Sequence, residues 1–122
     1  MKHIKEPSEI EAFGTGPKVI QEFIGQINTG NADVSIARMK SSKGWEEPGQ
    51  TPEFNEYTIV LRETLCVKTT DRSYEVKQGQ AIIATIGEWV QYSTPYDGGA
   101  EYIAVCLPAF TPEAASRDDE IR

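Results

Sequence analysis

The sequence predicts a small all-β protein, built as a sandwich or a barrel, and three observations carry this prediction. Short segments rich in β-branched and aromatic residues recur along the chain, and turn residues separate them at short intervals. No segment keeps a helical period of about 3.6 residues over several turns. With 122 residues, the chain has the length of one domain with one core.

The first half of the chain is predicted to contain an arm, two strands and a loop. Residues 1–17 form the arm, in which Ser8–Phe13 is long enough for one helical turn. Two strands are predicted within residues 18–28 and 33–40, because both segments are rich in apolar and β-branched side chains. Glycine and proline residues then interrupt residues 41–54 and predict an ordered loop.

The segment from Glu56 to Val67 has the clearest strand pattern. Its first side chains alternate between an apolar face and a mixed face. The apolar face carries Tyr57, Ile59 and Leu61, and the mixed face carries Glu56, Thr58 and Val60. A half-buried strand is expected here, with Glu56 beside a threonine and a valine.

The strands that follow are short, and a helical turn is predicted after them. Candidate strands lie at residues 74–76, 81–85, 89–93 and 101–107. The barrel domain is therefore expected to occupy residues 18–110. Residues 111–122 form a C-terminal tail or short helix, because Thr111, Pro112 and Glu113 suit the N-cap, first position and first turn of a helix.

The charge and composition of the chain indicate which binding partners and which cellular compartment to expect. The formal net charge of −7 at pH 7 disfavours binding to nucleic acid and to anionic membranes, so neither is expected as a partner. Nothing near Met1 resembles a signal peptide, and a cytoplasmic location is expected. Cys66 and Cys106 lie in apolar runs without metal-ligand spacing, which predicts buried, reduced thiols.

One stretch resembles the first signature motif of the cupin superfamily. That motif is a glycine, five residues, His-x-His, three or four residues, a glutamate, six residues and a glycine. In this chain Gly44 and Glu56 match, Gln50 and Pro52 stand at the histidine positions, and Glu63 replaces the last glycine. The spacing of the motif is kept, but its histidines are not.

A second stretch resembles the second cupin motif. That motif is a glycine, five residues, Pro-x-Gly, two residues, a histidine, three residues and an asparagine. Gly79 and Gly87 match, whereas Thr85, Val90 and Thr94 occupy the proline, histidine and asparagine positions. The predicted strand segments between and after the motifs also resemble those of cupins, so the resemblance covers most of the chain.

Within the superfamily the sequence is similar to histidine-poor members such as the ethanolamine-utilisation cupin. Those members carry an aromatic residue, an acid or amide, and a glutamate where Phe54, Asn55 and Glu56 stand here. The resemblance implies a cupin double-stranded β-helix, or jelly-roll barrel. Small cupins are commonly homodimers, so the resemblance also implies a homodimer.

The resemblance implies a barrel without the usual cupin metal site. Cupins bind metal through three histidines and one glutamate, but the single histidine of this chain, His3, lies in the predicted arm. Neutral imidazole gives such sites their affinity for transition metals. No metal and no other cofactor are therefore expected.

Strand parity predicts which side chains face the barrel interior. A carboxyl in an apolar cavity without a metal has a raised pKa, so Glu56 is the predicted catalytic acid or base. Tyr92 is the second predicted catalytic residue, because its hydroxyl could donate a hydrogen bond to a substrate oxygen. The predicted substrate-binding residues are Gln50, Arg38, Trp89 and Thr58. By strand parity the side chains expected inside are those of Gln50, Glu56, Thr58, Val60, Glu88, Val90 and Tyr92.

Plainer roles stay open for these residues. Glu56 and Tyr92 would satisfy each other's hydrogen bonds in a closed core. Solvent exposure or simple packing is the plainer role for Gln50, Arg38 and Trp89. Two acidic runs are interpreted as solvated charge, namely Glu46–Glu47 and Asp118–Glu120.

Three hypotheses of function follow from the sequence, and they leave open whether the protein is an enzyme. The leading hypothesis is a cupin that binds a small polar organic molecule, with isomerase-type or lyase-type catalysis by Glu56 as its extension. The second is a metalloenzyme with oxygen-rich ligands drawn from Glu56, Gln50, Tyr92, Glu53 and His3. The third is a non-catalytic dimeric sensor or interaction module.

Overall fold

The chain folds almost entirely into antiparallel strands. A computed structural model describes residues 1–119. The strands are β1 (Ser8–Ile10), β2 (Lys18–Ile24), β3 (Ser35–Ser41), β4 (Trp45–Glu46), β5 (Asn55–Lys68), β6 (Ser73–Lys77), β7 (Ala81–Ala84), β8 (Gln91–Thr94) and β9 (Ala100–Leu107). One short helix, α1 (Pro112–Ala115), follows them. The predicted all-β barrel is confirmed.

The long strand β5 belongs to two sheets and joins them into one curled structure. Its first half pairs with β7 and β9, and its second half pairs with β6 and β8. The strand order is β1-β2-β3-β9-β5-β8-β4, with β6 and β7 also paired to β5. The pairing register with β9 shifts between Val60 and Arg62, where β5 turns from one sheet into the other.

Glu63 stands at this bend in an unusual backbone conformation. Its φ of 62° lies in the left-handed region, which glycine adopts far more easily than residues with a Cβ atom. The sequence comparison had placed Glu63 at the last glycine of the first cupin motif. At this motif position the chain therefore adopts a backbone conformation that glycine favours, although the residue is a glutamate.

The interior of the barrel contains two apolar clusters. The alternation predicted for β5 is observed, because Glu56, Thr58 and Val60 are buried and the intervening side chains are exposed. The larger cluster contains Trp45, Val60, Leu65, Val67, Val76, Ala84, Val90, Tyr92, Ala100 and Tyr102. The smaller one contains Phe54, Cys106 and Ala115. Together they fill most of the space between the sheets.

The segment after β9 folds back over one end of the barrel. Helix α1 begins as predicted, since Thr111 is its N-cap and the threonine hydroxyl accepts a hydrogen bond of 3.0 Å from the amide of Ala114. The backbone amide of Asp118 then donates to the carbonyl of Gly49 at 2.7 Å. This segment is thereby fixed against the loop that precedes β5.

Two local predictions for the first half of the chain were wrong. Ser8–Phe13 does not form a helical turn, because Ser8–Ile10 is strand β1 and pairs with β2. The predicted loop of residues 41–54 contains the short strand β4, which pairs with β8. Of the predicted C-terminal tail, residues 120–122 lie outside the described part of the chain, as does the last residue of the acidic run Asp118–Glu120.

Within residues 1–119, no helix is long and apolar enough to cross a membrane.

Candidate functional site

A cavity of about 50 Å³ lies inside the barrel, against the segment that closes its end. A space of this size accommodates a few water molecules or an organic molecule of a few non-hydrogen atoms. Apolar walls are formed by Ile10, Ile20, Ala37, Met39, Phe54, Tyr102 and Phe110. The polar and charged lining residues are Lys18, Glu22, Ser35, Glu47, Gln50, Glu56, Thr58, Tyr92 and Arg117. The cavity is therefore small and rich in ionisable groups.

Glu56 and Tyr92 meet across the cavity from different sheets. Glu56 lies in the first half of β5, and Tyr92 lies in β8, which pairs with the second half of β5. The Tyr92 hydroxyl donates a hydrogen bond of 3.0 Å to Oε1 of Glu56. Both side chains are buried. The pair connects the two sheets through the barrel interior.

The surroundings of Glu56 raise its pKa to about 7. Burial is the largest cause, because it removes the water that would stabilise the charged carboxylate, and the nearby charge of Glu47 raises the pKa further. The hydrogen bond from Tyr92 and the positive charges of Lys18 and Arg117 act in the opposite direction. Both protonation states of Glu56 are therefore populated near neutral pH, as an acid-base group requires.

The Tyr92 hydroxyl is directed at Glu56. Burial and the neighbouring carboxyl raise the pKa of Tyr92 well above its usual value, so its hydroxyl stays protonated. The sequence had suggested that this hydroxyl donates to a substrate oxygen. In the structure it donates to Glu56 instead, and Tyr92 orients that carboxyl.

Gln50 and Thr58 lie inside, where the sequence placed them. Gln50 is fixed by two backbone hydrogen bonds to Val90, of 2.8 and 2.9 Å, and its side chain is buried in the cavity wall. Its Oε1 atom has no hydrogen-bond partner among residues 1–119. Thr58 is also buried and lines the cavity next to Glu56 on β5. The plainer interpretation of Gln50 as a solvated turn residue is wrong.

The expectation that Glu88 faces the interior is wrong, and the predicted substrate-binding residues Arg38 and Trp89 do not line the cavity. Arg38 lies on the outer face of β3, where its Nε donates to Glu101 at 2.7 Å. Trp89 packs against Gly49 outside the cavity, and its Nε1 donates to Asp118 at 2.9 Å. Glu88 is exposed and accepts a hydrogen bond from the amide of Thr85. None of the three lines the cavity.

The sequence analysis missed Glu47 as a site residue. It had interpreted Glu46 and Glu47 as a solvated pair, but only Glu46 is exposed. Glu47 is buried in the cavity wall, and this burial raises the pKa of its carboxyl. The signal was the alternation of Trp45, Glu46 and Glu47, because a strand places the first and third side chains on one face.

Lys18 and Arg117 were also missed, and they bring positive charge to the cavity. The Lys18 ammonium lies 3.7 Å from the centre of the Trp45 ring. The Arg117 guanidinium lies 4.3 Å from the ring centre of Phe13 and 5.5 Å from that of Phe110. Arg117 comes from the closing segment, and no local sequence pattern indicates that it folds back into the site.

The residues at the cupin metal positions do not fit a metal ion. Gln50 and Glu56 offer oxygen atoms, but Pro52 and Val90 have no side-chain donor atom. His3 and Glu53, considered as substitute ligands, are exposed and do not line the cavity. Among residues 1–119, no group of three or more His, Cys, Asp or Glu side chains is arranged to hold a metal. No chemical step is therefore assigned to a metal here.

Solved structures with a similar fold include enzymes. The Streptomyces nucleoside dehydratase Pac13 has a TM-score of 0.75 at 11% identity, with 98% of this chain and 91% of that chain covered. A putative ethanolamine utilization protein from Salmonella typhimurium has a TM-score of 0.65 at 14% identity, with 86% and 98% covered. A predicted oxalate decarboxylase from Thermotoga maritima has a TM-score of 0.70 at 18% identity, with 84% and 92% covered. At such identities the likeness concerns the fold alone.

A similar sequence occurs within a longer protein. The endoribonuclease YbeY of Myxococcus xanthus is 39% identical over 98 residues, which are 80% of this chain. The match spans 33% of that protein, so this chain corresponds to about a third of its curated relative. No protein-family profile matches the sequence.

Proposed function

The chain has the cupin fold, and from that premise we propose that it binds a small polar organic molecule in its barrel and uses Glu56 as an acid or base. One observation carries the proposal. A buried carboxyl with a pKa of about 7 faces a cavity whose wall includes polar atoms without partners. Enclosed cavities with a few convergent polar groups and perturbed pKa values are typical of ligand sites.

Glu56 is suited to move a proton within a bound molecule. As a carboxylate it would remove a proton from a carbon atom beside a carbonyl group, and the electron pair of the broken C–H bond would pass to the carbonyl oxygen. In an isomerisation, the same proton returns to a different carbon. In an elimination, it leaves with a hydroxyl group as water. Tyr92 would hold the carboxyl in place during either step.

The proposal is tested by proton exchange in heavy water. The wild-type protein is incubated with a panel of small hydroxy and keto compounds, and exchange of their carbon-bound hydrogens for deuterium is followed by NMR. We expect Glu56→Gln to slow any exchange by about a hundredfold or more, as loss of a general base does. Glu53→Gln is the matched control, since Glu53 is exposed and outside the cavity. Equal rates for wild type and Glu56→Gln would contradict the proposal.

RNA cleavage is a weaker candidate than small-molecule chemistry for this chain. The likeness to an endoribonuclease covers about a third of that protein. The formal net charge of −7 repels a phosphate backbone, and a cavity of about 50 Å³ is too small for a nucleotide. The candidate site therefore supports a small ligand better than RNA.

The proposal includes a homodimer, formed through the outer face of the sheet that contains β1, β2, β3, β9, the first half of β5 and β7. Five apolar side chains from adjacent strands lie side by side in one row across this face, namely Ile24, Ile36, Val105, Tyr57 and Ile83. Tyr57 and Ile83 are exposed large hydrophobic residues. A continuous apolar surface of this kind is typical of an association site, and a second copy would cover it.

A cytoplasmic location is also part of the proposal. Cys66 is half-buried, Cys106 is buried, and both are free thiols. Burial raises the pKa of both thiols, which lowers their reactivity. Free thiols are typical of proteins from reducing compartments.

A further inference from the structure

Two side chains at the closed end of the cavity have buried atoms without hydrogen-bond partners. Within residues 1–119, these atoms are Oε1 of Gln50 and Nε and Nη1 of Arg117. Gln50 is only 4% exposed, so bulk water does not replace the missing partner. Buried polar atoms in folded proteins are almost always paired, and exceptions call for an explanation. A ligand that supplies both partners is such an explanation.

The backbone brings Gln50 and Arg117 to the same place. The two residues form an antiparallel bridge, and the flanking amides of Thr51 and Asp118 donate to the closing segment and to the preceding loop. Both side chains line the cavity. An acceptor and a cationic donor therefore lie next to each other in one wall.

The guanidinium is held in place by aromatic rings. Phe13 and Phe110 lie 4.3 and 5.5 Å from its carbon atom, and such contacts hold a guanidinium through its flat face. Its Nε and Nη1 atoms, which have no partner among residues 1–119, can donate to a bound acceptor. Arginine side chains that are fixed in this way are typical of carboxylate recognition.

We propose that this end of the cavity binds the carboxylate of a small hydroxy acid or amino acid. Arg117 donates hydrogen bonds to the carboxylate, and Oε1 of Gln50 accepts one from the hydroxyl or amino group of the ligand. The inference rests on the proposed function, since Glu56 in the same cavity would act on the bound acid. A volume of about 50 Å³ restricts the ligand to a few non-hydrogen atoms.

Other charged groups of the cavity are compatible with an anion. Lys18 adds a second positive charge. Oε1 of Glu22 already accepts hydrogen bonds from the amides of Ile27 and Asn28, at 2.9 and 3.0 Å. Burial raises the pKa of Glu47, so this carboxyl accepts a proton more readily beside a bound anion, and the pKa of about 7 leaves Glu56 with access to both of its protonation states.

The experiment compares acids with the corresponding amides, which lack the negatively charged carboxylate, on the intact protein. Binding of glycolate, lactate and alanine is measured by NMR titration beside glycolamide, lactamide and alaninamide. We expect at least one acid to bind about tenfold or more tightly than its amide, because the amide lacks the negative charge that pairs with the guanidinium. Arg117→Gln should remove this preference, and Arg117→Lys should keep part of it. The matched control is Arg72→Gln, since Arg72 lies 4.7 Å from the Tyr74 ring at the surface.

The outcomes separate this inference from the proposed function. If acids bind no more tightly than amides, or if Arg117→Gln leaves the preference unchanged, the inference is wrong. Binding of neutral compounds that Glu56→Gln weakens would then still support the proposed function. If no compound of either class binds, both are overturned. The comparison of acid with amide uses the wild-type protein, so its result tests the inference even if a variant fails to fold.

Discussion

The hydroxyl of Tyr92 and the carboxyl of Glu56 form a hydrogen bond of 3.0 Å that spans the barrel interior. Because a carboxylate accepts this bond more strongly than a neutral carboxyl does, the contact lowers the pKa of Glu56 against the effect of burial. The hydrogen bond is therefore one of the interactions that determine the protonation of the proposed catalytic group. Several measurable properties depend on it.

Stability should depend on pH through Glu56. Its pKa is raised from 4.5 to about 7, so the folded protein binds this proton more tightly than the unfolded chain does. The free energy of unfolding therefore falls as pH rises from about 4.5 to about 7, by ~3 kcal/mol. Glu56→Gln should remove most of this decrease in urea titrations at pH 5 and pH 8. In Glu56→Gln the free energy of unfolding should still fall slightly as pH rises, because the pKa of Glu47 is also raised.

The control for this prediction is Glu53→Gln. Glu53 is exposed and lies outside the cavity, so the wild-type dependence on pH should persist in this variant. Stability of Glu56→Gln that still falls steeply between pH 5 and pH 8 would show that Glu56 is not the titrating group.

Removal of the Tyr92 hydroxyl should raise the pKa of Glu56 further. Tyr92→Phe deletes the hydrogen bond that favours the carboxylate, while the desolvation that raises the pKa stays. The pKa is measured by NMR titration of the labelled side-chain carboxyl. Tyr102→Phe is the matched control, because the Tyr102 hydroxyl is bonded to Ser41 at 3.1 Å and not to Glu56. A lower pKa in Tyr92→Phe would overturn the assigned role of this hydrogen bond.

A charge on the apolar outer row should weaken the proposed dimer. Ile83 is 62% exposed and lies opposite Tyr57 in the row. Ile83→Glu should shift the protein toward the monomer in analytical ultracentrifugation, because a buried carboxylate in the interface is costly. Ile27→Glu serves as control, since Ile27 is 63% exposed but lies in the turn after β2. A monomeric wild-type protein would exclude the dimer outright.

The left-handed conformation of Glu63 predicts an unusual substitution pattern. Glu63→Gly should be neutral or stabilising, because glycine adopts a φ of 62° without the steric cost of a Cβ atom. Glu63→Val should be destabilising by about 1 to 2 kcal/mol relative to glycine, since a branched side chain is least tolerated there. Urea denaturation of the two variants measures the difference. Greater stability of the valine variant would contradict this account of the bend.

The sequence predicts site residues correctly where local periodicity determines the face of the strand on which a side chain lies. The period of two in β5 places Glu56 and Thr58 inside, and the motif spacing places Gln50 and Tyr92 there too. Periodicity does not decide the face of Arg38, because no motif sets the register of β3 and an alternating strand offers both faces. It gives the wrong face for Glu88 and does not apply to Trp89, because β8 begins only at Gln91.

Contacts between distant parts of the chain could not be predicted in this way. Arg117 reaches the cavity because its backbone pairs with Gln50, a residue far from it in the sequence. Lys18 faces inward from β2, where apolar side chains on both faces hide the alternation. A pattern within a short window contains no information on such pairings. The fold class was accessible because each strand contributes its own local signal.

Arg117, which lines the cavity, and Phe13, which packs against its guanidinium, come from the two outer segments of the described chain, whereas Glu56 and Tyr92 lie on central strands. The proposed acid-base pair and the proposed carboxylate-binding arginine are thus located in separate parts of the polypeptide. Changes in the outer segments could alter which molecule is accepted without disturbing the paired strands or the proton-transferring group. Such a division lets one scaffold diversify in specificity while its chemistry is retained.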